Sequence, residues 1–404
     1  MKRKMILMSM LCCLMTGMLC GCGKDQASSV EEERYVTVQE VCDRAAQDME
    51  DAYSGKYEKL SFASFTPEIT TEGSISELRQ QRTQYGEKDQ TAEQCIKQQY
   101  EYICQWLGVD SVDPTKITDA KTEKTLDEVE KMLKKGTYPD ELNVEDGFGK
   151  PALLYQDEKG TRIYLDSGLC GFDVFMDNAY TEDITYVRTY EANAEDGSLE
   201  DAYPLEDGEC KVSEAIAFAE KYQNEERPIR PGKDFSIEAE QVRVYQLQNG
   251  KYGFDILMHR VYRGIPFIGL YQGTSISSEE YEFDMGIFFM TNREKPSACM
   301  GLGANEIMTK RGKTYTELIP LSRVFELLNE RMGNNAKCNV LNAGLSYLQK
   351  NFQRKFTKYG YCDTIDAEPV WYVEVESGTD ERRTKFFIGL QDYEGKNIRT
   401  LNVQ

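Results

Sequence analysis

Between Trp371 and Glu376 the chain alternates without a break. Trp371, Val373 and Val375 fall on one side of an extended strand, and Tyr372, Glu374 and Glu376 on the other. Successive side chains of a strand point to opposite faces, so this stretch requires a sheet with one buried apolar face. Phe386, Ile388 and Leu390 repeat the alternation, and residues 398–403 supply a last strand. Ahead of these strands, Val324, Phe325, Leu328 and Met332 recur at helical spacing in a segment starting at Leu321, with Ser322 placed to cap it.

The same order occurs earlier. Ala215, Ile216 and Ala219 mark a helix from Val212, with Ser213 in the capping position, and residues 241–248 and 251–262 read as two strands about an Asn249-Gly250 turn. Residues 283–291 add another strand. Each unit lays an amphipathic helix across an antiparallel sheet, which predicts an α+β fold of two or three modules with a helix-sheet repeat in the C-terminal half.

The N-terminal half is more mixed. Thr37 and Glu40 have capping-box spacing ahead of Val38, Val41, Cys42, Ala45, Met49 and Ala52. Thr91 and Gln94 open a second helix with Ala92, Ile96, Tyr100, Ile103 and Leu107 on its apolar face, and residues 126–135 predict a third. Short β-type runs are expected at 57–65, 152–155, 161–166, 171–176 and 185–190. Residues 195–209, acidic and punctuated by glycine, read as a linker.

The first residues carry an address. Lys2, Arg3 and Lys4 precede an uncharged run from Met5 to Leu19, which is shorter than the roughly 20 apolar residues a transmembrane helix needs and has the layout of a signal peptide. Leu19-Cys20-Gly21-Cys22 resembles the lipobox of bacterial lipoproteins, with Cys20 departing mildly from the usual small residue. Cleavage is expected before Cys22, since acceptance at Cys20 would place bulky Leu19 at the cleavage position. The resemblance implies a diacylglyceryl group on Cys22, with palmitate as a typical acyl chain, because one acyl chain alone holds a protein only marginally. The predicted organisation is a signal peptide at 1–21, a lipidated cysteine and polar tether at 22–34, an N-terminal α+β region at 35–205, and two α+β modules at 206–315 and 316–404. The expected location is the extracytoplasmic face of the cell membrane.

Removing residues 1–21 takes three of the 48 basic groups and none of the 69 acidic ones, leaving a formal charge of −24. Such a chain lacks the basic surface that displaces counterions from nucleic acid, so no nucleic-acid partner is expected. Eight cysteines remain beyond the anchor: Cys42, Cys95, Cys104, Cys170, Cys210, Cys299, Cys338 and Cys362. They show no paired metal-type or redox spacing, and Cys95 and Cys104 fall on opposite sides of one helix. Most are expected to be buried small residues, with disulfides as the other possibility.

His259 is the only histidine and lies in the apolar run 256–261. Any serine or cysteine triad would have to use it, yet Gly273-Thr274-Ser275-Ile276-Ser277 lacks the closing glycine of a nucleophile elbow. A single histidine also disfavours a zinc hydrolase. Glu195-Asp196-Gly197 and Glu206-Asp207-Gly208 lack calcium-loop alternation, and Gly301-Leu302-Gly303-Ala304-Asn305-Glu306 lacks the third glycine of a dinucleotide loop. No catalytic residue, cofactor or metal is expected. Trp106 and Trp371 are expected in the core.

Ala367-Glu368-Pro369-Val370-Trp371-Tyr372-Val373 leading into a strand, and Asp392-Tyr393-Glu394-Gly395-Lys396 turning into the last one, resemble PepSY-like modules and the related YycH/YycI proteins. They are also similar to lipoproteins of low-GC Gram-positive bacteria. The resemblance covers the last 200 residues or so and implies a non-catalytic regulator of an envelope partner such as a protease or sensor kinase. The competing readings are a solute- or glycan-binding lipoprotein and a carboxylate-dependent hydrolase.

Overall fold

The helices begin where side chains satisfy free backbone amides. In the computed structural model Thr37 N donates to Glu40 Oε2 (2.7 Å) and Glu40 N to Thr37 Oγ1 (3.2 Å), the expected capping box. Thr91 and Gln94 do the same (2.7 and 3.2 Å), and Thr125 N donates to Glu128 Oε2 at 3.0 Å. The structure describes residues 34–69, 73–83, 91–138, 151–165, 171–177, 184–229, 231–268, 281–282, 286–302, 306–333, 337–357, 360–377 and 382–403. Leu19, Cys20, Gly21 and Cys22, the rest of the signal segment, nearly all of the tether, residues 273–277 and Cys170 lie outside them.

Along the chain come β1 (Val36–Thr37), α1 (Val38–Tyr53), β2 (Leu60–Phe62), β3 (Ile75–Thr83), α2 (Ala92–Leu107), β4 (Ile117–Asp119) and α3 (Leu126–Lys134). Short strands follow: β5 (Leu153–Gln156), β6 (Arg162–Leu165), β7 (Gly171–Phe175), β8 (Thr185–Glu191), β9 (Ala202–Leu205) and β10 (Gly208–Lys211). Next are α4 (Val212–Lys221), β11 (Phe235–Gln246), β12 (Tyr252–Tyr262), β13 (Ile265–Pro266), β14 (Tyr281–Glu282), β15 (Gly286–Met290), β16 (Ala298–Leu302), β17 (Glu306–Tyr315) and β18 (Glu317–Leu318). The chain closes with α5 (Leu321–Arg331), β19 (Cys338–Thr357), β20 (Gly360–Ser377), β21 (Arg382–Gly389) and β22 (Arg399–Val403).

The fold is α+β, and both helix-sheet units are present. After α4, β11 and β12 pair antiparallel about the Asn249-Gly250 turn and β15 joins β12. After α5, β19 to β22 pair antiparallel in sequence. Among the described residues the first unit grows to ten strands, in the order β4-β5-β6-β7-β16-β15-β12-β11-β8 with β13 beside β12. The second grows to eight by adding β2, β3, β14 and β17.

Helices cover one face of each sheet. Ile96, Ile103 and Trp106 of α2, Leu126 and Val129 of α3, and Ala215 and Ala219 of α4 share a core with Val242, Val244, Phe254 and Phe288 of the ten-stranded sheet. Val38, Val41 and Met49 of α1 and Val324, Phe325 and Leu328 of α5 share another with Leu345, Trp371, Val373 and Ile388 of the eight-stranded sheet. The uncovered faces meet: Leu401 of β22 packs on Leu257 and Ile287 of the other sheet, giving helix, sheet, sheet and helix layers. No helix among the described residues is long and apolar enough to cross a membrane.

Several expectations change. Helix α4 starts at Val212 as expected, but Ser213 lies inside it: Lys211 is the N-cap and its amide donates to Glu214 Oε2 (3.2 Å). Likewise Pro320 precedes α5, and the Ser322 amide donates to Asp48 Oδ2 of α1 (3.1 Å) rather than the serine capping its own helix. Residues 195–209 are not a loose linker. They contain β9 and enter the β9-β10 hairpin, with Leu205 buried, Tyr203 against Phe254, and the Arg293 amide held by Asp207 Oδ2 at 3.1 Å. The apolar residues spaced among the acids outweigh the polar composition. One core draws on residues 36–78, Ile265, Phe267 and residues 318–390, the other on 96–299.

Candidate functional site

The polar face of the Trp371 strand is covered by the other sheet. Tyr372 and Glu374 of β20 and Arg383 and Lys385 of β21 point toward β11, β12 and β8, and an ionic seam runs between the sheets. Its centre depends on an irregularity in β11: Ala239 faces Met258 and Gln241 faces Leu257, so Glu240 is an extra residue between them. Such a bulge re-aims a side chain. Glu240 accepts from Lys385 Nζ at 2.6 Å and lies 3.5 Å from His259 Nδ1. Lys385 also lies 3.6 Å from Glu374, and Arg383 joins Glu374 (3.4 Å) to Glu191 of β8.

Glu68 enters from a segment that runs alongside β19 and pairs with it in parallel at Gly344. Its amide donates to Ala343 O (3.1 Å) and its carbonyl accepts from Leu345 N (2.7 Å), directly over Gly344. A Cβ at Gly344 would overlap the Glu68 backbone, so the close approach requires glycine there. The carboxylate accepts from Tyr372 OH (2.8 Å) and Asn342 Nδ2 (3.3 Å).

The charges respond to one another. Burial raises the Glu240 carboxyl, but Lys385 and His259 more than reverse this and hold it well below the usual range. Burial lowers His259, and its bond to Glu240 with the nearby Glu68 charge carries it above its ordinary value. Lys385 is raised by Glu240 and Glu374 against its burial. Glu374 is raised by burial, sharing Lys385 with the nearer Glu240. Glu68 is raised by burial too. The space beside this cluster, lined by Glu68, His259, Phe267, Ser346, Tyr372 and Lys385, is about 10 Å³, which holds one water at most.

A roomier cleft of about 260 Å³ opens farther along the same face of β20, lined by Glu77, Arg311, Gly312, Lys350, Asp366 and Glu368. Asp366 is held by Arg79 Nε (3.0 Å) and Arg311, and Glu368 by Lys350 and by Arg399 Nη1 (3.0 Å). These cations keep both carboxyls below the usual range against the opposing effect of burial.

His259, the single catalytic candidate considered from sequence, thus sits 5% exposed in an ion pair with Glu240. Trp106 and Trp371 are both buried, and Cys104, Cys210, Cys299 and Cys338 are buried free thiols. Among the described residues no group of three or more His, Cys, Asp or Glu is placed to hold a metal ion. Glu68, Glu191, Glu240, Glu374, Arg383 and Lys385 had no individual role in the sequence pattern. Only Glu374 left a trace, as a charge alternating with Val373 and Val375.

No family model and no curated protein matches this chain. Among solved structures it is similar to the crystal structure, at 1.45 Å resolution, of an uncharacterized protein from Eubacterium rectale ATCC 33656, with 10% identity and a TM-score of 0.45 over 86% of this chain and 87% of that one.

Proposed function

We propose that the protein is an extracytoplasmic lipoprotein, cut before Cys22 and held at the membrane by lipid on that cysteine, which works non-enzymatically by binding and regulating another envelope protein. The location rests on the Lys2-Arg3-Lys4 cluster, the short uncharged run and the Leu19-Cys20-Gly21-Cys22 motif. The regulatory role, with a protease or sensor kinase as the kind of partner, rests on the PepSY-like pattern of the last strands.

The observation that carries the binding reading is strand β8. Among the described residues it pairs only with β11 and ends the ten-stranded sheet, with Tyr186 57% and Val187 41% exposed. An edge strand offers unpaired backbone groups to an extended segment of another chain, and exposed aromatic and branched side chains add contact area. His259 supports a non-catalytic role, since its Nδ1 faces Glu240 inside the seam.

A photo-crosslinker at Val187 in intact cells is expected to trap one recurrent protein. Repeated absence of a specific product would remove the binding reading. Cys22→Ala is expected to release the protein from the membrane fraction, and its retention there would remove the anchor.

A further inference from the structure

The cleft over Asp366 and Glu368 has a charge pattern that selects a ligand. Opposite the single residue Glu77, β17 carries three: Lys310 faces Leu78 and Thr314 faces Ser76, so Arg311, Gly312 and Lys313 bulge outward. Gly312 lies at φ +89°, in the left-handed region, and a Cβ there would overlap the Glu77 carboxylate. The bulge swings Arg311 across β3 to Asp366 on β20 and leaves the cleft between them.

The two walls differ in charge. On one, Arg311 and Lys350 line the cleft beside Asp366 and Glu368, and Arg79 and Arg399, outside the lining, pair with the same two carboxylates. Each carboxylate lies between two positive groups, which leaves positive charge in excess in a chain of net charge −21. On the other wall, Glu77 accepts from Tyr315 OH (2.9 Å) and the Lys313 amide (3.2 Å), both neutral donors, and has no ion-pair partner among the described residues. A spare negative group therefore faces spare positive ones.

We propose that this cleft binds a small zwitterion, a free α-amino acid or dipeptide, with its carboxylate on Arg311 and Lys350 and its ammonium on Glu77. Three features favour this class. A guanidinium engages carboxylates through several N–H groups, so Arg311 accepts a second carboxylate while keeping Asp366. Arg311 is 48% exposed, which leaves part of its guanidinium open to a ligand. The volume, about 260 Å³, falls below the roughly 300–1,000 Å³ of pockets for drug-sized molecules and suits a much smaller one. Acidic neighbours on β20 disfavour a multiply charged anion such as phosphate. The inference stands on the cleft and is independent of the protein partner and of the anchor at Cys22.

The test uses the full chain in detergent micelles with alanine and alanyl-alanine as probes, followed by calorimetry and thermal shift. One or both zwitterions are expected to raise the melting temperature with concentration. N-acetylation or C-amidation of the probe is expected to weaken binding at least about tenfold, and so are Glu77→Gln and Arg311→Gln. The capped probes leave the protein unaltered, so the proposal stays testable even if a variant fails to fold. It is overturned if neither zwitterion binds at about 10 mM, or if the capped probes bind as well as the free ones.

Discussion

Lys385 Nζ lies 2.6 Å from Glu240 Oε1, and the two residues belong to different sheets. Their contact is the middle of the seam that closes the four layers. Breaking a buried pair leaves the remaining charge uncompensated, which is far more damaging than exchanging both partners for neutral groups. Lys385→Met is therefore expected to destabilise the protein by about 3–5 kcal/mol, read from urea unfolding, and Glu240→Gln added to it is expected to recover part of the loss. A loss below about 1 kcal/mol in the single variant would show that the seam contributes little.

The seam also predicts a dependence on pH. His259 is raised above its ordinary value of about 6.5, so its contribution is fully present below that pH and is lost as pH rises through the folded value. Glu240, Glu68 and Glu238 act on it from the facing elements, with Lys385 and Tyr372 beside the same space. Glu374 and Glu68, also raised, add loss of the same sign above about 4.3, and Glu240, lowered, contributes stability above about 4.3 that is lost progressively as pH falls below it. Unfolding midpoints of the wild type are expected to fall as pH rises above about 6.5, and those of His259→Gln to fall less. Parallel curves would overturn the assignment.

Asp255 faces the same inter-sheet space from β12, 4% exposed, with its Oδ1 unpartnered. Burial pushes its carboxyl up to about 6, only partly offset by Arg243. A raised carboxyl stabilises below the unfolded value near 3.9 and loses that contribution as pH rises through 6. Asp255→Asn is expected to be more stable than the wild type at pH 8, by on the order of 2–3 kcal/mol, and indistinguishable at pH 4. Equal melting temperatures at pH 8 would refute this.

Gly344→Ala is expected to lower stability by about 1–3 kcal/mol, since its methyl group meets backbone rather than a movable side chain. Because the displaced backbone is that of Glu68, the variant is also expected to alter the pH profile. Gly333→Ala, which meets nothing nearby, serves as the control.

Helices α1, α2 and α3, the β11-β12 hairpin and the burial of Trp371 follow from capping chemistry, turn residues and alternation that operate within a few residues of one another. Strand β3 left no such trace. Ser76, Glu77, Arg79, Gln80 and Gln81 read as a polar surface, yet β3 lies between β17 and β20, with Gln80 fully buried against Gln349 and Arg79 paired to Asp366. Cross-strand pairs replace apolar patterning there. The seam was hidden for a related reason. A charge alternating with valines looks the same whether its face meets water or a second sheet, and Glu68, Glu240, His259, Glu374 and Lys385 are brought together only by the tertiary fold. The bulge at Glu240 shifts the β11 pattern by one residue, and no turn residue announces it.

The division of the two cores has a consequence for the order of synthesis. Residues 96–299 contain everything the α2, α3 and α4 core needs, whereas the core under α1 and α5 joins residues 36–78, with Ile265 and Phe267, to residues 318–390. A chain delivered N-terminus first completes the middle before the ends. Val38, Val41 and Met49 of α1 stay uncovered until Leu321 and the residues after it have emerged, so the first helix made is among the last to find its place, and it is the segment a chaperone would have to shield in the meantime.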